Sequence, residues 1–224
     1  LSISYLPYLT KHYFPEVSFN IGIWYNGGYT LADQYAKFTN NQKADIFSYT
    51  DNSTGWENFQ GNGSKTIDEV LSTYHFDVIC LQEYMNYKET YTDSDIITWN
   101  NCRDYIASHY TGGNALEFIS FIHAPLRTNL ETVYQRTLQA NAKILKETIA
   151  DDVIPAGIAI YKAMSTSLAT LGDGGDLTPG DHTHAQEGVP CLIQTYAVMN
   201  WLLNKTGLNR GVYDCPLRMT TEIA

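Results

Sequence analysis

Apolar and polar positions along the chain follow two rhythms that take turns. Residues 17–24 (VSFNIGIW) are rich in β-branched and aromatic side chains and run into Asn26-Gly27-Gly28, a turn signal. Residues 76–81 (FDVICL) form a nearly unbroken apolar run, the pattern of a strand covered on both faces. Residues 116–123 (LEFISFIH) and 152–158 (DVIPAGI) predict two further strands, the second interrupted by Pro155. Helical spacing fills the intervals. Residues 66–74 put Ile67, Val70 and Leu71 on one stripe, and residues 129–149 carry Leu130, Val133, Leu138, Ile144, Leu145 and Ile149 near the 3.6 period. Residues 189–203 carry Leu192, Tyr196, Met199 and Leu203 on one line and are apolar nearly all round, which predicts a deeply packed helix. Residues 4–13 read as the tail of a helix. Continuous apolar strands separated by helices predict an α/β fold with a parallel sheet and helices on both sides.

Two segments break this alternation. Residues 47–62 (FSYTDNSTGWENFQGN) are polar and aromatic and read as a long loop or a small hairpin. Residues 171–181 (LGDGGDLTPGD) read as a surface loop leading into a helix. The length of 224 residues with no internal repeat suits one domain over residues 1–224. With 44% apolar and 17% charged residues, the composition is that of a packed globular chain. A formal net charge of −10 argues against binding a phosphate backbone, which needs a basic face, so no nucleic-acid partner is expected. No apolar run is long enough to predict a membrane span. The cysteines at 80, 102, 191 and 215 lack zinc-site spacing and read as buried thiols, with disulfide pairing the alternative.

Ligands of parallel α/β sheets bind at the carboxyl ends of the strands. There the chain places Asn26-Gly27-Gly28, then Gln82-Glu83-Tyr84, then His123; before the last helix comes Asp181-His182-Thr183-His184. An Asp three residues ahead of a His can accept the imidazole Nδ1–H and leave Nε2 as a general base, the activation that a serine hydroxyl needs. The same segment also contains His182 and His184 in a His-x-His pair that could hold a metal with Asp181, although no further ligand stands at suitable spacing. Gly28 could let a backbone N–H approach a developing oxyanion, or could simply turn the chain. Gln82, an amide at the end of a core strand, needs a hydrogen-bond partner and could aim its N–H₂ at a carbonyl oxygen. Glu83 reads as a solvated rim residue.

Residues 4–9 (SYLPYL), 21–28 (IGIWYNGG), 77–83 (DVICLQE) and 181–188 together resemble the SGNH/GDSL hydrolase superfamily, more narrowly its bacterial branch known as the DUF4886 domain. The resemblance implies a flavodoxin-like three-layer α/β/α sandwich with a mostly parallel sheet. It also implies hydrolysis of an acyl ester, often on a carbohydrate, with no cofactor and no metal. On this resemblance His184 is the catalytic base and Asp181 its orienting partner, with the oxyanion held by the Gly28 backbone N–H and the Gln82 side chain. Gly27 takes the place of Gly28 if the register slips by one. The superfamily's nucleophilic Ser follows a first strand that this sequence lacks, so the nucleophile is unassigned and expected upstream of Leu1, with Ser2 and Ser4 as substitutes in the first helix. An unpaired lane in the sheet beside the strand leading to Gly28 is the structural sign of such a missing strand. The expected partner is a small-molecule or glycan ester, and the expected compartment is secreted or periplasmic. Two rivals remain: a non-catalytic carbohydrate-binding protein on a degenerate hydrolase fold, suited by the aromatic, Asn- and Gly-rich segment at 47–62, and a nucleotide binder, disfavoured because no Gly-rich phosphate loop opens a helix.

Overall fold

The computed structural model describes residues 6, 9, 15–16, 20–49, 60–84, 90–123, 130–171, 177 and 189–205. Among them the elements follow in the order β1 (Ile21–Tyr25), α1 (Leu31–Thr39), β2 (Ala44–Tyr49), β3 (Gln60–Lys65), α2 (Ile67–Thr73), β4 (Val78–Tyr84), α3 (Asp93–His109), β5 (Glu117–His123), α4 (Leu130–Glu147), β6 (Asp152–Ile154), α5 (Ala156–Met164) and α6 (Val189–Lys205). A short 3-10 turn spans Ser167–Leu171. Leu6 and Leu9, in the stretch read as a helix tail, are helical and buried.

β4, β5 and β6 pair in parallel, from Val78↔Glu117 to Tyr84↔His123 and from Ile119↔Asp152 to Phe121↔Ile154. Successive side chains of a strand face opposite sides, and both sides are packed here. Leu81, Phe118 and Val153 join a core with Leu31 and Phe38 of α1, Leu71 of α2, Trp99 and Ile106 of α3 and Ile144 of α4. On the other side, Ile119, Phe121 and Ile154 cluster with Ala156 and with Ala197, Val198 and Trp201 of α6. The Trp201 indole N–H donates to the Asp152 carboxylate at 2.8 Å, pinning α6 to the start of β6.

The first strand departs from the expected parallel sheet. β1 pairs antiparallel with β2, and β2 antiparallel with β3, in a separate sheet. The segment at 47–62 therefore contributes to two hairpin arms, and its residues 50–59 lie outside the described residues. β2 escapes an apolar-run reading because only alternate residues, Ala44 and Ile46, are buried while Asp45 is exposed, the mark of a strand with one covered face. Among the described strands, β1 and β4 are each paired along one edge only.

Three further corrections have local causes. The strand expected at 152–158 stops at Ile154, because Pro155 has no N–H for the ladder; its carbonyl instead accepts from the Ala159 N–H at 2.9 Å as α5 begins. In α4 the buried stripe runs through Thr137, Ala140, Asn141 and Ile144, while Leu145 and Ile149 are exposed. Thr137 can occupy that stripe because its hydroxyl is satisfied by the Val133 carbonyl at 2.9 Å. Cys102 and Cys191 are buried as expected, but Cys80 is an exposed thiol on the edge strand β4, and Cys215 lies outside the described residues.

α3 carries no strong apolar periodicity, yet the starts of α1, α2 and α3 are written plainly. Thr30 with Asp33, Thr66 with Glu69 and Thr92 with Asp95 each form a reciprocal capping box that opens α1, α2 and α3. In α3 the buried positions Ile96, Trp99, Cys102 and Ile106 are diluted by Asn and Asp, which hides the stripe from a hydropathy reading.

Candidate functional site

The rim where β1 and β4 end is the best-defined place for chemistry. Gly27 and Gly28 turn the chain after β1, and Gly28 adopts φ +74°, a left-handed conformation that side chains resist. A Cβ added at Gly28 would meet no atom within 4 Å, so conformation rather than crowding demands glycine there, and the backbone stands open to a ligand. Two residues on, Thr30 caps α1. Its hydroxyl oxygen accepts from the Asp33 N–H at 3.2 Å, and the Asp33 carboxylate accepts from the Thr30 N–H at 2.9 Å and from its hydroxyl at 2.7 Å.

Two hydrogen bonds tie this turn and helix to the end of β4. The Gln34 side-chain amide donates to the Gln82 carbonyl at 3.4 Å, and the Leu31 N–H donates to the Glu83 carboxylate, also at 3.4 Å. Gln82 is exposed, as its place at the end of an edge strand allows. Glu83 is not the solvated rim residue that the sequence suggested: it is 1% exposed. Alternation along β4 explains the inversion, because Glu83 shares a face with Ile79 and Leu81, the face that packs on α1 and α3. Counting in twos from Leu81, with the Thr30–Asp33 capping signal, was the clue in the sequence.

Buried groups surround that carboxylate. The Cys102 thiol donates to the Leu31 carbonyl at 3.5 Å. Burial, with the Glu83 charge adding to it, pushes the Cys102 thiol up to about 12, so it stays a protonated donor. Tyr91 is also buried, and burial followed by the charge of Glu83 holds its phenol protonated well above the usual range. Both shifts follow from the same cause, the cost of placing a second negative charge in a dry site.

Beside the Gly27 turn lies a hollow of about 260 Å³ lined by Tyr25, Tyr29, Lys37, Lys43 and Asp45 among others. Tyr25 and Tyr29 are 40% and 38% exposed, and the Lys37 ammonium sits 5.2 Å from the Tyr29 ring centroid. The hollow thus offers aromatic faces beside charged and amide groups.

Through α1 the structure ties the Gly28 turn to the end of β4 that carries Gln82. His123 ends β5 in register with Tyr84, on the same carboxyl edge of the sheet. Asp181, His182 and His184 lie outside the described residues, as do Ser2 and Ser4. Among the described residues no cluster of His, Cys, Asp and Glu is arranged to hold a metal ion. No helix among them is long and apolar enough to cross a membrane.

No protein-family model and no curated protein matches the chain. Among solved structures, the fold is similar to that of a DUF4886 family protein from Bacteroides uniformis, with a TM-score of 0.70 at 17% sequence identity. The match covers 90% of this chain and 76% of the other. At that identity the likeness concerns the fold: the architecture is α/β and DUF4886-like.

Proposed function

We propose that this chain forms the body of a serine ester hydrolase of the SGNH type, acting on an acyl ester such as an O-acetylated carbohydrate. The observation that carries the reading is the tie between the Gly28 turn and the Gln82 strand end through Leu31–Glu83 and Gln34–Gln82. The tie sets the Gly28 turn beside the end of β4, and a developing oxyanion needs donors fixed in advance; the SGNH resemblance makes those donors the Gly28 backbone N–H and the Gln82 side chain. The SGNH resemblance of the four sequence segments supplies the rest. A serine attacks the ester carbonyl while His184 takes its proton, with Asp181 holding the imidazole Nδ1–H. Gly28 and Gln82 hold the negative oxygen of the tetrahedral intermediate. Its collapse expels the alcohol, protonated by His184, and water then releases the acyl group by the same steps in reverse order of partners. The serine is not assigned to a residue of this sequence.

The hollow flanked by Tyr25 and Tyr29 suits the sugar of such an ester. It equally favours the second reading, a carbohydrate-binding protein without hydrolytic activity. The flavodoxin-like three-layer form belongs to the proposal, as does a secreted or periplasmic location, where glycan esters occur.

The deciding experiment uses the full-length protein and an aryl acetate or acetylated oligosaccharide. Hydrolysis with labelling by a fluorophosphonate probe is expected, and His184→Ala should lower kcat by about 10³-fold or more, as removal of a triad member does. His182→Ala should cost little. Sugar binding without turnover selects the second reading; equal losses at both histidines, with rescue by zinc, point to a metal site and overturn the Ser–His–Asp assignment.

A further inference from the structure

Glu83 poses a question the proposed chemistry does not answer. A carboxylate 1% exposed is costly, because desolvation disfavours its charge, and it persists only where other groups compensate. Its position shows what it compensates for. Leu31 is the first residue of α1, and the first amides of a helix have no partner within the helix. The capping box satisfies the Asp33 amide through the Thr30 hydroxyl. The Leu31 amide is served from another element altogether, by Glu83 at the end of β4. The helix dipole adds to the match, since its positive end meets the carboxylate. On the other side of the same residue, the Leu31 carbonyl accepts from the Cys102 thiol of α3. Leu31 is therefore held through both of its peptide groups, by β4 and by α3, and its own side chain is fully buried.

We propose that Glu83 is a positioning residue: its buried carboxylate locks the first turn of α1, and with it the Gly28 loop, onto the end of β4 so that the Gly28 backbone is held in register with Gln82. This rests on the reading of Gly28 and Gln82 as the oxyanion donors. Only Tyr29 and Thr30 separate Gly28 from Leu31, so a helix start that is free to slide carries the loop with it. Gln34, one turn further along α1, makes the second tie, to the carbonyl of Gln82 itself. Glu83 touches no substrate in this scheme. Its contribution appears in the transition state, where a donor displaced by a fraction of an ångström loses much of its effect.

The test compares Glu83→Gln, which keeps the accepting oxygen, with Glu83→Leu, which removes it and fills the space with apolar atoms. Both are made in the full-length protein and followed by amide hydrogen exchange and by ester hydrolysis. In Glu83→Leu, exchange at Leu31 should speed by about tenfold or more while amides of β5 and α3 keep their protection, the signature of a local opening. kcat should fall by about tenfold or more with KM within about twofold, the signature of an interaction realised in the transition state. Glu83→Gln should restore both. Unchanged exchange at Leu31 in Glu83→Leu overturns the proposal, and so does a uniform rise across all amides, which would make the carboxylate a general stabiliser. A kcat that stays at the wild-type value while Leu31 exchanges faster overturns it as well. If the wild-type protein hydrolyses no ester, the hydrolase reading fails, and exchange at Leu31 still decides whether Glu83 holds the loop.

Discussion

The two sheets among the described residues have three strands each but opposite character. β5 and β6 are packed on both sides, with Ile119 at 2%, Phe121 at 5% and Ile154 at 2% exposure. In β1, by contrast, every residue is half-buried or exposed, and β3 reads Gln-Gly-Asn-Gly-Ser-Lys. The parallel sheet is thus the interior of the molecule, whereas the antiparallel one is a ribbon that reaches the core through single anchors. Trp24 is the principal anchor: it packs against Phe38 with ring centroids 5.3 Å apart, and its indole N–H donates to the Lys65 carbonyl at 2.9 Å. The lesson concerns division of labour. Stability resides in the parallel sheet and its helices, and the ribbon carries the open, glycine-bearing turn at Gly27-Gly28.

If that division is right, truncation in the two sheets should differ in cost. Ile154→Ala should lower the free energy of unfolding by about 2–5 kcal/mol in a urea titration, since it opens a cavity between β6 and α6. Ile23→Ala, in half-buried β1, should cost about 1 kcal/mol, the common value for a partly exposed site. Equal losses would show that the ribbon is as integral to the core as the parallel sheet.

Within the ribbon, two glycines sharpen the contrast further. Gly28→Ala should destabilise by about 1 kcal/mol, because alanine pays the left-handed backbone penalty even though the space around it is open. Gly22→Ala sits in extended β1, with its new methyl an ordinary 3.7 Å from the Phe76 ring, and should be neutral or stabilise by about 0.5 kcal/mol. Thermal melts of the two variants check the opposite signs.

The smallest effect is a pH dependence seated in the core beneath the rim. The Cys102 thiol is raised from 9.0 to about 12 on folding. The unfolded chain therefore releases this proton first, so the thiol's contribution is fully present below about pH 9 and is lost as pH rises toward about 12. Between pH 8 and pH 9.5 the loss should be about 1 kcal/mol or less. Urea midpoints across that interval should fall less in Cys102→Ala than in the wild type.

How much of this was legible beforehand depends on what each element answers to. The apolar runs at 76–81 and 116–123 predict β4 and β5; β5 is covered on both faces as expected, whereas β4 buries Leu81 and Glu83 on one face and exposes Cys80 and Gln82 on the other. Ile67, Val70 and Leu71 mark α2, and Leu192, Tyr196 and Met199 mark α6. Asn26-Gly27-Gly28 announces its turn because a positive φ is a local demand that only a few residues meet. What the chain alone left open were choices made between elements. β1 joined β2 rather than the parallel sheet because pairing depends on which edges meet, and a half-covered strand reads almost like a loop. Leu145 faces outward on α4 while Thr137 faces inward because the neighbouring surface selects the stripe. Glu83 passed for a surface residue because charge predicts exposure; only the packing of β4 against α1 brought an unsatisfied helix amide within reach, and that partner makes a buried carboxylate tenable.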